Sequence, residues 1–251
     1  NSSVGFPSDI WVPAIDSVPS QASQQWAANV TTQLYNGQFE LSLEGYYKTM
    51  HDLIAYKAGY SNLESTEAWE NAIEIAGEGE SYGAEIFLQK KKGNTTGWIG
   101  YTLSWTNRRF DNISFGEWYP YKYDRRHDIS VTGTHKLSDS WDLSSVFVYA
   151  TGNSITLPSE RYIIDGFIYT EYTSRNGYRM IPYHRLDIGA TYTPNKKKNK
   201  KFKSSWNFSI YNVYNRKNPY FIYLGLDDTI EDQNGTIQEG NLTPKAYQVS
   251  I

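Results

Sequence analysis

Residues 26–43 read Trp26-Ala27-Ala28-Asn29-Val30-Thr31-Thr32-Gln33-Leu34-Tyr35-Asn36-Gly37-Gln38-Phe39-Glu40-Leu41-Ser42-Leu43. Trp26, Ala28, Val30, Thr32 and Leu34 fall on one face of an extended chain and Asn29, Thr31 and Gln33 on the other, the period-2 signature of a half-buried strand. Phe39, Leu41, Leu43 and Tyr47 then alternate with Glu40, Ser42, Glu44 and Lys48. Asn36-Gly37 between the two runs is the strongest short hairpin signal a sequence carries. The same alternation recurs along the chain and predicts eight strands, near 24–35, 38–57, 73–91, 96–109, 125–137, 140–151, 183–194 and 202–215.

Composition agrees with an all-β chain. Aromatic residues make up 16% of it, with 22 Tyr and 8 Trp, and these residue types favour strands over helices. Mean hydropathy is −0.62, and no apolar run approaches the roughly 18 residues that a membrane-spanning helix requires.

The connections between strands fall into two length classes that alternate. Asn36-Gly37, Lys92-Gly93-Asn94, Ser138-Asp139-Ser140 and Pro194 to Lys200 are short, whereas 58–72, 110–124, 152–182 and 216–245 are long and rich in Tyr, Trp, Gly, Asn and acids. Short turns at one rim and long loops at the other are the plan of an antiparallel up-and-down transmembrane β-barrel. Tyr35, Tyr46, Tyr47, Trp98, Trp141, Tyr192 and Trp206 near strand ends are the candidate interfacial girdles. A soluble β-sandwich or propeller is the competing architecture; its strands are usually shorter, about 5 to 6 residues, and its loops need not alternate in length.

A net charge of −3 and pI near 5.9 supply no clustered basic surface for a nucleic acid. The one basic cluster, Lys196 to Lys203, reads as a turn. With no cysteine, disulfides, thiol nucleophiles and Cys-ligated metals are excluded. The first residues carry neither a basic start nor an apolar signal core, as in a mature or excised segment.

Several local sequences together resemble the C-terminal barrel of TonB-dependent outer-membrane receptors. Gly79-Glu80-Ser81-Tyr82-Gly83-Ala84-Glu85 is similar to that family's Gly-x-Ser-x-Gly-x-Glu strand opening, and Thr96-Gly97-Trp98-Ile99-Gly100-Tyr101-Thr102-Leu103-Ser104 to the strand that follows it. Asp124-Arg125-Arg126-His127-Asp128 resembles a later strand start, Ile210-Tyr211-Asn212-Val213-Tyr214-Asn215 the penultimate strand's ending, and Ser8-Asp9-Ile10-Trp11-Val12-Pro13 an upstream loop. The resemblance spans residues 1–251 and implies a partial barrel, about eight strands plus a stub of a larger 22-strand barrel. Its plug domain and final strand would lie outside the chain, which stops at Ala246-Tyr247-Gln248-Val249-Ser250-Ile251. The family implies a Gram-negative outer-membrane location with lipid around the wall, TonB engaged through a missing N-terminal part, a small nutrient ligand of the iron-siderophore type, and for some members an accessory lipoprotein.

No catalytic residue, metal ligand or cofactor is expected. His127 and Asp128 are neighbours on a strand and point to opposite faces, and Ser81 within Gly-x-Ser-x-Gly lacks the strand-turn-helix setting of a hydrolase elbow. Asp227, Asp228, Glu231 and Asp232 read as a solvated loop, and the Asn-x-Ser/Thr sequons at Asn29 and Asn207 fall in mid-strand. Ligand contacts are expected on the long loops, where binding residues sit on a rigid scaffold. Three clusters stand out there: Trp69 among Glu64, Glu67 and Glu70; Trp118, Tyr119, Tyr121, Lys122 and Tyr123; and Arg161, Tyr162, Tyr169, Tyr172 and Arg175. Aromatics stack on a sugar or chelate and Arg pairs with carboxylates, but rim Tyr and Trp also anchor a wall in the membrane. Two other functions fit parts of the sequence: an outer-membrane barrel enzyme, from His127, His135 and the acids, and a soluble carbohydrate-binding β-domain, from the aromatics.

Overall fold

Tyr35, Asn36 and Gly37 take left-handed φ, 50°, 54° and 70°, and the Gln38 N–H donates to the Tyr35 carbonyl, closing a tight hairpin turn. The computed structural model describes residues 13–57, 69–157, 160–164, 167–171, 174–194, 202, 204–226 and 242–249. The turn joins β1 (Ala22–Leu34) to β2 (Phe39–Tyr56) with Leu34 opposite Phe39. In chain order there follow β3 (Ile73–Lys90), β4 (Thr95–Arg109), β5 (Tyr119–Pro120), β6 (His127–Lys136), β7 (Trp141–Ala150), β8 (Ser154–Ile155), β9 (Glu160–Ile164), β10 (Phe167–Glu171), β11 (Tyr178–Arg179), β12 (Tyr183–Tyr192), β13 (Trp206–Ile210), β14 (Asn218–Leu226) and β15 (Leu242–Val249).

The main sheet runs β1-β2-β3-β4-β6-β7-β12-β13, with β5 on the end of β4, and every pairing is antiparallel. These eight strands form an up-and-down meander and are those the alternation predicts, the last of them shortened. Hairpins β9–β10 and β14–β15 and the bridge β8–β11 form three separate two-stranded pairings.

Register assigns the faces, because directly paired residues share one. Val30, Leu43, Ile86, Tyr101, Ile129, Tyr149 and His184 form one row across seven strands. An adjacent row on that face holds Ile99, Val131, Phe147 and Leu186, so the face is predominantly apolar. Asn29, Glu44, Ser42, Ser81, Thr102, Asp128, Asp187 and Thr191 occupy the other face, where Asn29 Nδ2 donates to Ser42 Oγ at 2.7 Å and Ser81 and Thr106 share a 2.9 Å hydrogen bond. Trp26, Val30, Leu43, Ile86, Ile99, Leu143, Ile188, Phe208 and Ile210 are all exposed. A continuous apolar face of this extent is uncommon on a water-soluble monomer and suits a wall in lipid.

Aromatic residues bound that face at both ends. Towards the long connections, Trp26 stacks on Tyr47, Tyr47 lies tilted against Tyr82, and Tyr82 stacks on Trp105, at 6.3, 6.3 and 5.3 Å between centroids. Beside the short turns, Trp141 and Tyr192 lie 4.9 Å apart, with Trp206 paired to Tyr192. Eight residues separate Phe39 from Tyr47, Trp141 from Tyr149 and His184 from Tyr192, about 26 Å along a strand at ~3.3 Å per residue, which a ~40° tilt reduces to about 20 Å.

Three sequence expectations need correction. Tyr46 and Trp98 do not join the girdles: Tyr46 is adjacent to Tyr47 and Trp98 to Ile99, so both project from the polar face. The strand expected over 202–215 is regular only from Trp206 to Ile210. The segment 216–245, read as a loop, contains β14. After Ile210 the backbone does not reverse: Val213 N donates to Leu186 O and His184 N to Asn218 Oδ1, so the chain keeps running antiparallel to β12 through a break at left-handed Asn212 and Asn215.

Candidate functional site at the long-connection rim

Above the aromatic row the apolar face ends in polar pairs. Asn107 donates to Glu80 at 3.1 Å, and Arg109 and Glu78 form an ion pair at 2.5 Å. On the polar side of the same rim, the strands continue into packed connections. Leu53, Phe110, Ile113 and Tyr119 form a buried cluster against which Met50 and Ala55 pack. β2 and β3 reach it through bulges at Asp52 and Ala76, both with left-handed φ.

A carboxylate ties two connections and the end of β4 together. The Asp124 side chain has no solvent exposure and accepts from Thr106 N at 2.8 Å, Arg179 Nη2 at 2.5 Å and Arg126 Nη2 at 3.4 Å. Arg179 Nη1 donates to the carbonyls of Asp124 and Gly152, and the Arg126 guanidinium lies 4.3 Å over Trp105. Burial of a charge is tolerated here because the carboxylate is paired and hydrogen-bonded. Nearby, Asn176 donates to Pro120 O and Arg175 N to Ser114 Oγ, joining the connection before β12 to the one after β4.

The second assembly is cationic and aromatic. Arg108 lies 3.6 Å over the Tyr121 ring and opposite Tyr119 in the β4–β5 pairing, and its buried Nε has no hydrogen-bond partner. Arg175 Nη1 donates to Tyr56 O at 2.7 Å. Burial lowers the Arg175 pKa, with Tyr119 acting in the opposite sense; burial raises the Tyr119 phenol, which Arg175 and Arg108 partly offset. Two guanidiniums and two phenols thus converge on the polar-face side of the rim.

Of the residues expected from sequence, the structure brings Tyr119, Tyr121 and Arg175 together. Tyr119 is buried as a core residue and supports the site from beneath. Trp118 goes elsewhere: it is exposed, with Arg109 5.2 Å over its ring, and Arg109 belongs to the apolar-face side. Trp69 opens a 3-10 turn (Trp69–Ala72), and Arg161 and Tyr169 lie on β9 and β10; their side chains fall outside the described residues. Asp227, Asp228, Glu231 and Asp232 also lie outside them. Sequence reasoning missed Asp124, Arg108 and Arg179. Asp124 opens the motif matched at 124–128, whereas Arg179 carries no sequence signal.

His127 and His135 sit on the apolar face, where His127 Nδ1 bonds Tyr101 OH at 2.9 Å and His135 Nδ1 bonds Thr95 Oγ1 at 2.7 Å. Asp128 projects from the opposite face. Among the described residues no three His or acidic side chains converge as a metal site.

No family model and no curated protein matches the chain. Solved structures do. The ferripyoverdine receptor of the Pseudomonas aeruginosa outer membrane, bound to ferripyoverdine, superposes with a TM-score of 0.51 at 14% identity over 78% of this chain and 24% of that one. P. aeruginosa FpvA with a heterologous pyoverdine gives 0.51 at 14% identity over 77% and 23%. The outer membrane transporter YddB from Escherichia coli gives 0.52 at 10% identity over 94% and 32%. The chain therefore spans about a quarter to a third of their length. The fold is that of the wall of an outer-membrane β-barrel.

Proposed function

We propose that the chain is a wall segment of a TonB-dependent receptor in the outer membrane of a Gram-negative cell, importing a scarce nutrient of the ferric-siderophore type. The observation that carries the ligand class is the convergence of Arg108 and Arg175 with Tyr119 and Tyr121 on the polar-face side of the long-connection rim. Guanidiniums stacked on phenols are suited to the carboxylates or catecholates of a chelate, and the apolar opposite face keeps the wall in lipid. The resemblance in sequence and the likeness to a ferripyoverdine receptor support the same reading. Energy would reach the site through TonB and a plug carried by other parts of the protein; the segment itself binds and gates, with no bond made or broken.

The test uses the full-length receptor. Ferric-chelate binding and iron-limited growth should depend on it, and Tyr121→Ala should weaken chelate binding at least tenfold while heat-modifiable gel mobility is preserved. Tight binding of an oligosaccharide with no chelate binding would overturn the ligand class. Monomeric solubility of the native receptor without detergent would overturn the membrane wall.

A further inference from the structure

We infer that the apolar face holds a specific phospholipid, with one acyl chain lying in a groove across β6, β7, β12 and β13 beside the short turns. This rests on the reading of the sheet as a membrane wall.

Two adjacent rows of the apolar face build the groove. One is His135, Leu143, Ala190 and Phe208, the other Gly133, Ser145, Ile188 and Ile210, each set directly paired across the four strands. The second row continues to Gly97 on β4. Gly133, Ser145 and Ala190 are small, so the floor drops to the backbone between bulky walls of Leu143, Ile188, Phe208 and Ile210. The result is an open channel of about 540 Å³. Towards the middle of the same face the rows are filled by Leu43, Ile86, Ile99, Val131 and Phe147.

The occupant follows from position. The groove lies one row inside the girdle of Trp141, Tyr192 and Trp206 and is continuous with the lipid-facing surface, so hydrocarbon covers it in the bilayer. At its turn-side end stands Thr95, bonded to His135 Nδ1. His135 and Thr95, one row inside the girdle, are the polar groups that the ester region of such a lipid would meet. The groove's small-residue floor lets a chain lie closer to the backbone than bulk lipid does, gaining dispersion contacts with four walls. The leaflet is the one facing the short turns, so the lipid is a glycerophospholipid.

The experiment uses the full-length receptor reconstituted in phosphatidylethanolamine vesicles doped with chain-spin-labelled phosphatidylethanolamine. Wild type should restrict about one lipid per receptor more than Ser145→Leu with Ala190→Leu, which fills the floor with apolar bulk, over the boundary shell that both share. An equal restricted population in wild type and variant overturns the inference. Native mass spectrometry of wild type alone should retain one glycerophospholipid after detergent exchange; retention of none, of lipopolysaccharide, or of a second receptor overturns it without reference to the variant. A receptor lacking heat-modifiable mobility would defeat the membrane-wall reading, whereas an inserted receptor that retains no lipid defeats only this one.

Discussion

Arg179 Nη2 stands 2.5 Å from the carboxylate of Asp124, a side chain with no solvent exposure that lies 55 residues earlier. The contact joins the connection after β4 to the one before β12, so the rim is a packed layer and not a set of independent loops. Asp124→Asn would leave Arg126 and Arg179 without their charge partner. Removing one member of a buried pair costs about 3–5 kcal/mol, and the partial exposure of both arginines places this site at the lower end. Chemical unfolding of the full-length receptor should show a loss of about 3 kcal/mol, and Asp124→Leu combined with Arg179→Met should lose less than Asp124→Leu alone. A loss below about 1 kcal/mol for Asp124→Asn would show that the hub does not hold the rim.

The face assignment makes a sharper test on β2. Leu43 lies between Val30 and Ile86 on the apolar face, and Ser42, one residue away, bonds Asn29 and Thr31 on the polar face. Leu43→Arg near the bilayer midplane is expected to destabilise the barrel by about 2–4 kcal/mol in a lipid refolding titration, and Ser42→Arg by much less. Equal effects would mean a register error of one residue, which exchanges the faces.

How much of this was legible depended on whether a feature was local. The Asn36-Gly37 turn and the eight strands followed from alternation and turn chemistry, because each is specified within about ten residues. Tyr46 and Trp98 stay out of the girdles because proximity to a strand end does not fix parity: Tyr46 and Tyr47 cannot share a face. β14 was hidden because the chain leaves β12 at Asn212 and Asn215 and rejoins it at Asn218, a break that reads as loop onset. Among the rim residues, Tyr121 and Arg175 were visible as types. Arg175 reaches Arg108 and Tyr119 only because segments more than 50 residues apart pack together, which no single-sequence pattern encodes.

The aromatic row at the long-connection end should be energetically coupled. Tyr82 lies between Tyr47 and Trp105, 6.3 Å from one ring and 5.3 Å from the other. Aromatic pairs in such geometry contribute about 0.5–1.5 kcal/mol beyond area burial, so a double-mutant cycle of Tyr82→Leu and Trp105→Leu should return a coupling in that range. Additivity within about 0.3 kcal/mol would reduce the row to independent interfacial anchors.

Gly77 and Phe110 provide the last test, of whether the rim core packs as described. Phe110 is almost fully buried, and a methyl group at Gly77 would fall within the van der Waals envelope of its ring. The φ of Gly77 is not in the left-handed region, so backbone strain plays no part and Gly77→Ala is a pure packing probe. Overpacking of this kind costs about 1–3 kcal/mol. Phe110→Leu removes ring atoms at that point and leaves space against Leu53, Ile113 and Tyr119, which destabilises on its own account. In the double variant the added methyl occupies part of the vacated volume, so the combined loss should be smaller than the sum of the single losses by at least about 0.5 kcal/mol. Unfolding midpoints of the four receptors in one detergent measure this directly, and strict additivity would show that the two residues are not in contact.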